Sequence, residues 1–237
     1  MHARLQVLEL LRLPGFSVAT LGFPTVFFLL FGLPQAGKHP EVFLASYAGF
    51  AVLGVGFFQF GVSIAMERLT PWQTWLRTLP ASAFSRIAGR VLAALSFATA
   101  SATLVVVVVL ATTSTAPRVE EIARLAMTLL LGSVPFVALG LAIAYWSSPK
   151  AALPVANLLY IVFAYVGGFW SGPTDLPHWI RGVSPFTPTR QWGDLLWNAV
   201  TSGGFEATHW LALTGYALAF GLLATWGYRR DEGQRFR

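Results

Sequence analysis

The sequence predicts an all-α integral membrane protein with six transmembrane helices. Hydrophobic residues make up 55% of the 237 residues and charged residues only 11%, whereas soluble domains carry roughly 25% charged residues. The mean hydropathy is +0.62. The apolar runs reach about 20 residues, which is the length that an α-helix needs to cross a bilayer. The sequence lacks the short alternating strands that a membrane barrel would require.

The six predicted spans follow the apolar runs of the chain. They cover residues 17–34, 44–66, 87–112, 123–146, 151–172 and 208–227. The first span is not interpreted as a cleavable signal peptide, because Pro24 interrupts it and no small-residue cleavage site precedes Lys38. The spans occupy just over half of the sequence. We therefore expect residues 1–237 to form a single transmembrane domain without a separate soluble domain.

Lysine and arginine are unequally distributed over the connections between the spans. One side of the predicted membrane holds Arg4, Arg12, Arg68, Arg77, Arg86, Arg90, Lys150, Arg229, Arg230, Arg235 and Arg237. The other side holds only Lys38, Arg118, Arg124, Arg181 and Arg190. Because cytoplasmic connections carry the excess of Lys and Arg, we expect both termini and residues 67–86 to be cytoplasmic. The net charge of +6 thus indicates membrane topology rather than nucleic-acid binding.

The connection after the first span nearly matches a nucleotide-binding P-loop. Its sequence, GLPQAGKHP over residues 32–40, fits G-x-x-x-x-G-K-[ST] except at the last position. That position should be a Ser or Thr that binds magnesium, and a buried strand should precede the glycines. Here the position is His39, and a membrane span precedes it. We interpret the segment as a connection between two spans and expect no ATP hydrolysis by this chain alone.

Side chains that could carry chemistry inside the membrane are scarce. No Asp, Glu, Lys or Arg lies deep in a predicted span, as a proton-coupled carrier would require. The deepest polar side chains, Gln59 and Asn157, either contact substrate or bond neighbouring helices. The four histidines show no metal-ligand spacing, so no metal site is predicted. The sequence GFWSG, residues 168–172, loosely resembles the G-x-S-G nucleophile of intramembrane proteases, with one residue too many; a glycine-rich helix end is the alternative.

The connection between spans two and three predicts a short amphipathic helix. Its sequence is ERLTPWQTWLRTLP, residues 67–80. Pro71 suits the first helical position with Thr70 as N-cap, and Pro80 marks the end of the helix. Apolar residues recur at i, i+3, i+4 and i+7, namely Trp72, Trp75, Leu76 and Leu79. Periodicity alone is equally compatible with a helix in the cytoplasm and a helix in the lipid interface.

The same connection resembles the loop after the second span of ABC-2 type permeases, the membrane subunits of ATP-binding-cassette exporters. The family pattern is roughly E-R-E-x-G-T-x-x-x-L-x-x-x-P. The matching residues are Glu67, Arg68, Leu76 and Pro80. The sequence departs from the pattern at Leu69, where the family often has an acidic residue, and at Pro71–Trp72, where it has Gly-Thr.

The layout of the chain is similar to that family beyond this connection. Residues 1–14 resemble its amphipathic connecting helix on the inner membrane surface. Residues 173–205, which contain the proline-punctuated stretch LPHWIRGVSPFTP, resemble its outer re-entrant helices between spans five and six. The resemblance therefore predicts a fold of six spans with these three additional elements.

The resemblance also implies how the protein works. Residues 67–80 would be the coupling helix that contacts a separate ATPase subunit, and that subunit would bind the ATP and magnesium. The residues implied in coupling are Glu67, Arg68, Trp72, Trp75, Leu76, Arg77 and Pro80. Two permease chains, expected as a homodimer, would complete one pathway across a bacterial or archaeal inner membrane.

The substrate is not specified by the sequence, but aromatic and polar residues of spans two and five could line a path for a lipophilic or amphiphilic compound. These residues are Phe57, Gln59, Phe60, Asn157, Tyr160 and Phe163, with Phe58, Tyr165 and Phe169 nearby. Contact with lipid is their commoner role. A secondary transporter or channel is the alternative, although it should show intramembrane charges or inverted repeats. A membrane-embedded enzyme is a further alternative.

Overall fold

A computed structural model describes residues 14–37, 39–68, 70, 83–172, 174–201, 203–204 and 206–235, with the backbone alone for helical residues 14–20, 83–88 and 232–235. All regular structure in these ranges is helical. The predicted connecting helix therefore lies outside the described residues except for Pro14. The predicted coupling helix lies outside them except for Glu67, Arg68 and Thr70.

Ten α-helices follow one another in the described part of the chain. They are α1 (Pro14–Phe27), α2 (Pro40–Val55), α3 (Ser63–Glu67), α4 (Ala83–Thr112), α5 (Val119–Gly132), α6 (Val134–Trp146), α7 (Pro149–Val166), α8 (His178–Arg181), α9 (Pro188–Val200) and α10 (Ala207–Arg235) among the described residues. A π-helical turn, Phe28–Gly32, continues α1, and a second one, Gly56–Val62, joins α2 to α3. A 3₁₀ turn, Ser184–Phe186, precedes α9.

Five helical stretches among the described residues are long and apolar enough to cross a membrane. They are Pro40–Glu67, Gly89–Thr112, Val119–Trp146, Pro149–Val166 and Ala207–Asp231. They correspond to predicted spans two to six, so a helical fold with about five such helices is confirmed for the described residues. The described apolar stretch of the first predicted span, Leu21–Gly32, is shorter, and the arrangement of six spans remains a prediction.

The helix boundaries follow from proline and hydroxyl residues. Ser148 caps α7 by accepting a hydrogen bond from the Ala151 amide at 3.3 Å, and Pro149 occupies the first turn, where its missing N–H costs nothing. Thr187 and Pro188 begin α9 in the same way. Within the fourth span the helix is interrupted at Ser133, because Pro135 cannot donate to the carbonyl of the preceding turn.

The second span forms the centre of the fold. Its most apolar window is 78% buried, against 17% for the corresponding window of α10. The π-helical segment Gly56–Val62 packs directly against α6. A methyl group added at Gly140 would overlap the carbonyl oxygen of Gly56, and one added at Gly61 would lie 3.3 Å from the carbonyl oxygen of Gly140. The two backbones therefore meet without side chains between them, as small residues permit at membrane helix crossings.

Helix α9 packs at the end of the bundle where α2 begins. Trp192 is fully buried and its indole donates to the carbonyl of Thr128 in α5 at 3.0 Å. The Trp197 indole donates to the Ser46 hydroxyl in α2 at 2.7 Å. These two tryptophans attach the segment between predicted spans five and six to the helices beneath it. Its assignment as an outer re-entrant segment stays a prediction.

The glycine-rich sequence after α7 ends that helix. Gly168 has φ of 81°, a left-handed conformation that glycine adopts without steric cost. Its amide donates to the Tyr165 carbonyl, and the Phe169 amide donates to the Ala164 carbonyl, both at 3.0 Å. This pattern is a Schellman motif. The interpretation of residues 168–172 as a helix end is therefore confirmed.

The segment that resembles a P-loop connects two helices. Gly32 belongs to the π-helical turn after α1, residues 33–37 form turns, and Pro40 begins α2. Helix α1 and its π-helical turn, rather than a strand, lie directly before these turns, and His39, the residue before α2, makes no side-chain cap to it. The predicted role as a connection agrees with this geometry; Lys38 lies outside the described residues.

Candidate functional site

Arg68, the residue that follows α3, is the centre of a polar network that joins three helices. Its guanidinium donates to the Asp231 carboxylate of α10 at 3.1 Å and to the carbonyls of Tyr145 and Ser147 at 3.3 and 2.7 Å. The last carbonyls of a helix have no partner within the helix and carry partial negative charge. Arg68 therefore satisfies the end of α6 while it pairs with α10.

Glu67 extends this network to α4. The Arg90 guanidinium forms an ion pair with the Glu67 carboxylate. The Thr70 hydroxyl donates to the Glu67 carbonyl at 2.7 Å, so it bonds to the preceding turn. Glu67 and Arg68 thus join the start of the predicted coupling helix to α4, α6 and α10. We refer to this end of the bundle as the Arg68 end.

The other predicted coupling residues lie outside the described residues: Trp72, Trp75, Leu76, Arg77 and Pro80. Sequence reasoning missed Arg90 and Asp231 as partners of Glu67 and Arg68. The charge distribution predicted that all four residues lie on the same side of the membrane, and this was the signal that the sequence offered. It could not show which residues form pairs, because Arg68 and Asp231 are 163 positions apart.

An aromatic cluster lies between α2 and α7. The rings of Phe50 and Tyr160 are stacked at 4.5 Å with an interplanar angle of 5°, and the Tyr160 hydroxyl donates to the Phe50 carbonyl at 3.1 Å. Trp170 contacts Phe50 edge-on at 5.8 Å, and Phe58 contacts Tyr160 in the same way at 5.5 Å. Offset and edge-on arrangements are the favourable ones for aromatic pairs.

Three of the predicted path residues belong to this cluster. Phe57 lies 6.4 Å from Tyr160 and 6.3 Å from Phe163 between ring centres. Phe57 and Tyr160 are nearly inaccessible within the single chain. These three residues of spans two and five are therefore in contact, and within the single chain they pack against each other.

The remaining predicted path residues lie elsewhere. Phe60 packs against Ala94 and Phe97 of α4. Gln59 is 6% exposed, and its amide nitrogen has no partner among the described residues. Asn157 is exposed on the surface of α7. Of the nearby aromatic residues, Tyr165 contacts Trp170 at 5.8 Å and Phe169 contacts Trp192 at the same distance.

Among the described residues, Ser171 and His209 do not form a hydrogen-bonded nucleophile–base pair. The Ser171 hydroxyl has no hydrogen-bond partner among the described residues. The ring nitrogens of His209, a histidine that could serve as a base, contact the side chains of Gln191 and Glu206, each at 2.6 Å. In the described part of the chain, no three His, Asp or Glu side chains are grouped as metal ligands. The described Asp, Glu, Lys and Arg residues of the five long helices all lie within six residues of a helix end.

Comparison with known proteins agrees with this arrangement of apolar helices. The family model described as "ABC-2 type transporter" matches residues 3–198. A protein of Bacillus subtilis (strain 168) named "Putative transport permease YvfS" is 23% identical over 230 residues, which cover 94% of each chain. The family match ends at residue 198. It therefore includes all the described helices except the last two residues of α9 and the whole of α10. The chain is a multi-pass membrane protein that belongs to the ABC-2 type transporter family.

Proposed function

We propose that the chain is the permease subunit of an ABC exporter, which moves a lipophilic or amphiphilic substrate outward with ATP hydrolysed by a separate subunit. The network at the Arg68 end carries this proposal. Glu67 and Arg68 begin the connection that resembles a coupling helix, and their ion pairs join it to α4 and α10. Movement imposed on the connection by an ATPase would reach several helices at once.

The ATPase is proposed as a separate chain because the sequence contains no complete G-x-x-x-x-G-K-[ST] motif. Membership of the ABC-2 family implies association with such a subunit. ATP and magnesium would be bound there, beneath a cytoplasmic Arg68 end. This orientation, with both termini cytoplasmic in a bacterial or archaeal inner membrane, rests on the excess of Lys and Arg at that end.

A second copy of the chain is part of the proposal. Asn157 is exposed near the middle of α7, where contact with lipid would leave an amide without hydrogen-bond partners. Against another helix, the same amide can form interhelical hydrogen bonds. We therefore place the exposed face of α7 towards a second permease chain. The pathway between the two chains would then be bordered by α7 and the neighbouring aromatic cluster.

Purification of the affinity-tagged chain together with an ABC ATPase, followed by assays in proteoliposomes, tests the proposal. The chain alone should show no ATP hydrolysis. Proteoliposomes that contain the assembled complex should hydrolyse ATP and transport substrate across their membrane in one direction. Lys38→Ala should leave turnover unchanged, because the lysine of the P-loop-like segment would face the outer side. Transport that needs an ion gradient and proceeds without ATP would overturn the proposal in favour of a secondary transporter.

A further inference from the structure

A groove of about 500 Å³ runs along the surface of α10 near the Arg68 end. Its lining residues are Ala219, Leu222, Leu223, Thr225, Trp226 and Arg229. We call it the Trp226 groove. The Trp226 side chain is 63% exposed and that of Leu222 is 72% exposed. The groove is therefore open to the surroundings of the single chain.

Tryptophan and arginine side chains from two helices lie at or beside the Arg229 end of this groove, which we call its head. The rings of Trp146 and Trp226 meet edge-on at 4.8 Å, and the Trp146 indole donates to the Leu223 carbonyl at 2.9 Å. The Arg230 guanidinium lies 5.3 Å from the centre of the Trp146 ring, within the range of a cation–π contact. Trp146 thus fixes Trp226 and Arg230 beside Arg229.

The positive charges at the head of the groove are not neutralised by ion pairs among the described residues. Asp231, the adjacent carboxylate, pairs with Arg68, and the other ion pair of this end joins Glu67 to Arg90. Neither pair includes Arg229 or Arg230. Both arginines are exposed. Two exposed arginines therefore lie at the head of the groove.

The polarity of the groove changes along the helix axis. Arg229 lies at one end and Leu222 lies seven residues earlier, which is about 10 Å along an α-helix. Trp226 lies between them, as tryptophan does at the boundary between headgroups and acyl chains. A cationic head, an aromatic boundary and an apolar wall match the phosphate, glycerol and acyl regions of a phospholipid in this order.

We propose that the Trp226 groove binds an anionic phospholipid, with its phosphate between Arg229 and Arg230 and an acyl chain along Leu222. Basic clusters at the membrane surface attract anionic headgroups. A second copy of the chain fits the groove less well, because a two-fold interface here would place the same arginines opposite each other. The lipid would come from the leaflet at the Arg68 end, which is the cytoplasmic leaflet in the proposed orientation.

Quenching of tryptophan fluorescence by brominated lipids tests this proposal. The purified chain is reconstituted into phosphatidylcholine vesicles that contain either brominated phosphatidylglycerol or brominated phosphatidylcholine. The chain has nine tryptophans, so the contribution of Trp226 is taken as the difference between the wild type and Trp226→Phe. We expect brominated phosphatidylglycerol to quench Trp226 at least about fivefold more effectively than brominated phosphatidylcholine, which is the effect of about one interfacial arginine. This preference should weaken at higher ionic strength.

The double variant Arg229→Gln/Arg230→Gln should lower this preference to about one. Lys150→Gln is the matched control, because Lys150 is also an exposed cation at the start of α7, and its preference should be that of the wild type. Equal quenching of the Trp226 contribution by both lipids, at all ionic strengths, would overturn the proposal. Protection of Trp226 from both lipids, with cross-linking of Trp226→Cys between two chains, would assign the groove to a second copy.

Discussion

The Arg68 guanidinium lies 3.1 Å from the Asp231 carboxylate, although the two residues are 163 positions apart in the chain. Both side chains are mostly buried, with 13% and 18% exposed. Arg68 also bonds to two carbonyls at the end of α6. At the Arg68 end, the ion pair therefore joins the second span to the last span, next to the end of the fourth span.

Removal of the Arg68 side chain should destabilise the protein strongly. Arg68→Ala leaves the Asp231 carboxylate and two helix-end carbonyls without this donor, and we expect a loss of about 3 kcal/mol in the free energy of unfolding. Asp231→Asn keeps an acceptor for Arg68 and should cost about 1 kcal/mol. Unfolding of the purified protein in mixed detergent micelles measures both values. Equal losses in the two variants would contradict this account of the network.

The close approach of the second and fourth spans should make Gly140 intolerant of a side chain. A methyl group there would overlap the Gly56 carbonyl, so Gly140→Ala must separate the two backbones. We expect a loss of about 2 kcal/mol, within the range for overpacked cores. Gly221→Ala is the matched control, because a methyl group there meets no atom within 4 Å and alanine favours the helix. A stable Gly140→Ala variant would show that the helices are not in contact at this point.

The hydrogen bond between Trp197 and Ser46 should contribute measurably to attaching α9. Both residues are buried, so either Trp197→Phe or Ser46→Ala leaves one buried polar group without its partner. The double variant should cost about 1 kcal/mol less than the sum of the single variants. A double-mutant cycle on the free energy of unfolding measures this difference. Strict additivity would show that the two side chains do not interact.

Coupling to the proposed ATPase should depend on the connection after α3. Glu67→Ala and Trp75→Ala should both lower substrate-stimulated ATP hydrolysis in the assembled complex while six spans remain folded. Glu67→Ala also removes the partner of Arg90, so Arg90→Ala serves as a comparison for the loss of the ion pair alone. If the Glu67 and Trp75 variants show the same stimulation of ATP hydrolysis and the same transport as the wild type, these residues have no role in coupling.

Membrane orientation can be tested with single cysteines, because the chain contains none. Thr74→Cys and Gln234→Cys should be protected from an impermeant thiol reagent in intact cells and should react after the cells are opened. Thr174→Cys should react in intact cells. Labelling of position 74 from outside would invert the proposed orientation.

The sequence predicted the long helices because a bilayer requires about 20 apolar residues for each crossing, and this requirement is local. The hydroxyl–proline pairs Ser148–Pro149 and Thr187–Pro188 are also local signals, and they could have placed the starts of α7 and α9 correctly. The π-helical segment Gly56–Val62 was not predicted. It lies opposite Gly140, 84 positions later, and a hydropathy pattern contains no information about such a contact.

The candidate site was predictable to a similar degree. Glu67 and Arg68 were identified by resemblance, and their helix-end positions agree with the structure. Their partners Arg90 and Asp231 depend on which helices are neighbours, which the sequence does not specify. Among the path residues, Phe57, Tyr160 and Phe163 share a cluster, whereas Phe60 faces α4 and Asn157 faces outward. The sequence could not indicate which side of its helix each of these residues occupies, because both spans are apolar on nearly every side.

The contact between Gly56 and Gly140 has a mechanical consequence when it is considered together with Arg68. The second and fourth spans are joined at two points, at the glycine crossing and at the Arg68 end, which are about 10 Å apart along the fourth span. Two such points should oppose sliding of the two helices past each other. We therefore expect the pair to move as one rigid unit, so that a tilt at residue 68 would also displace its far end, where Ser46 meets Trp197.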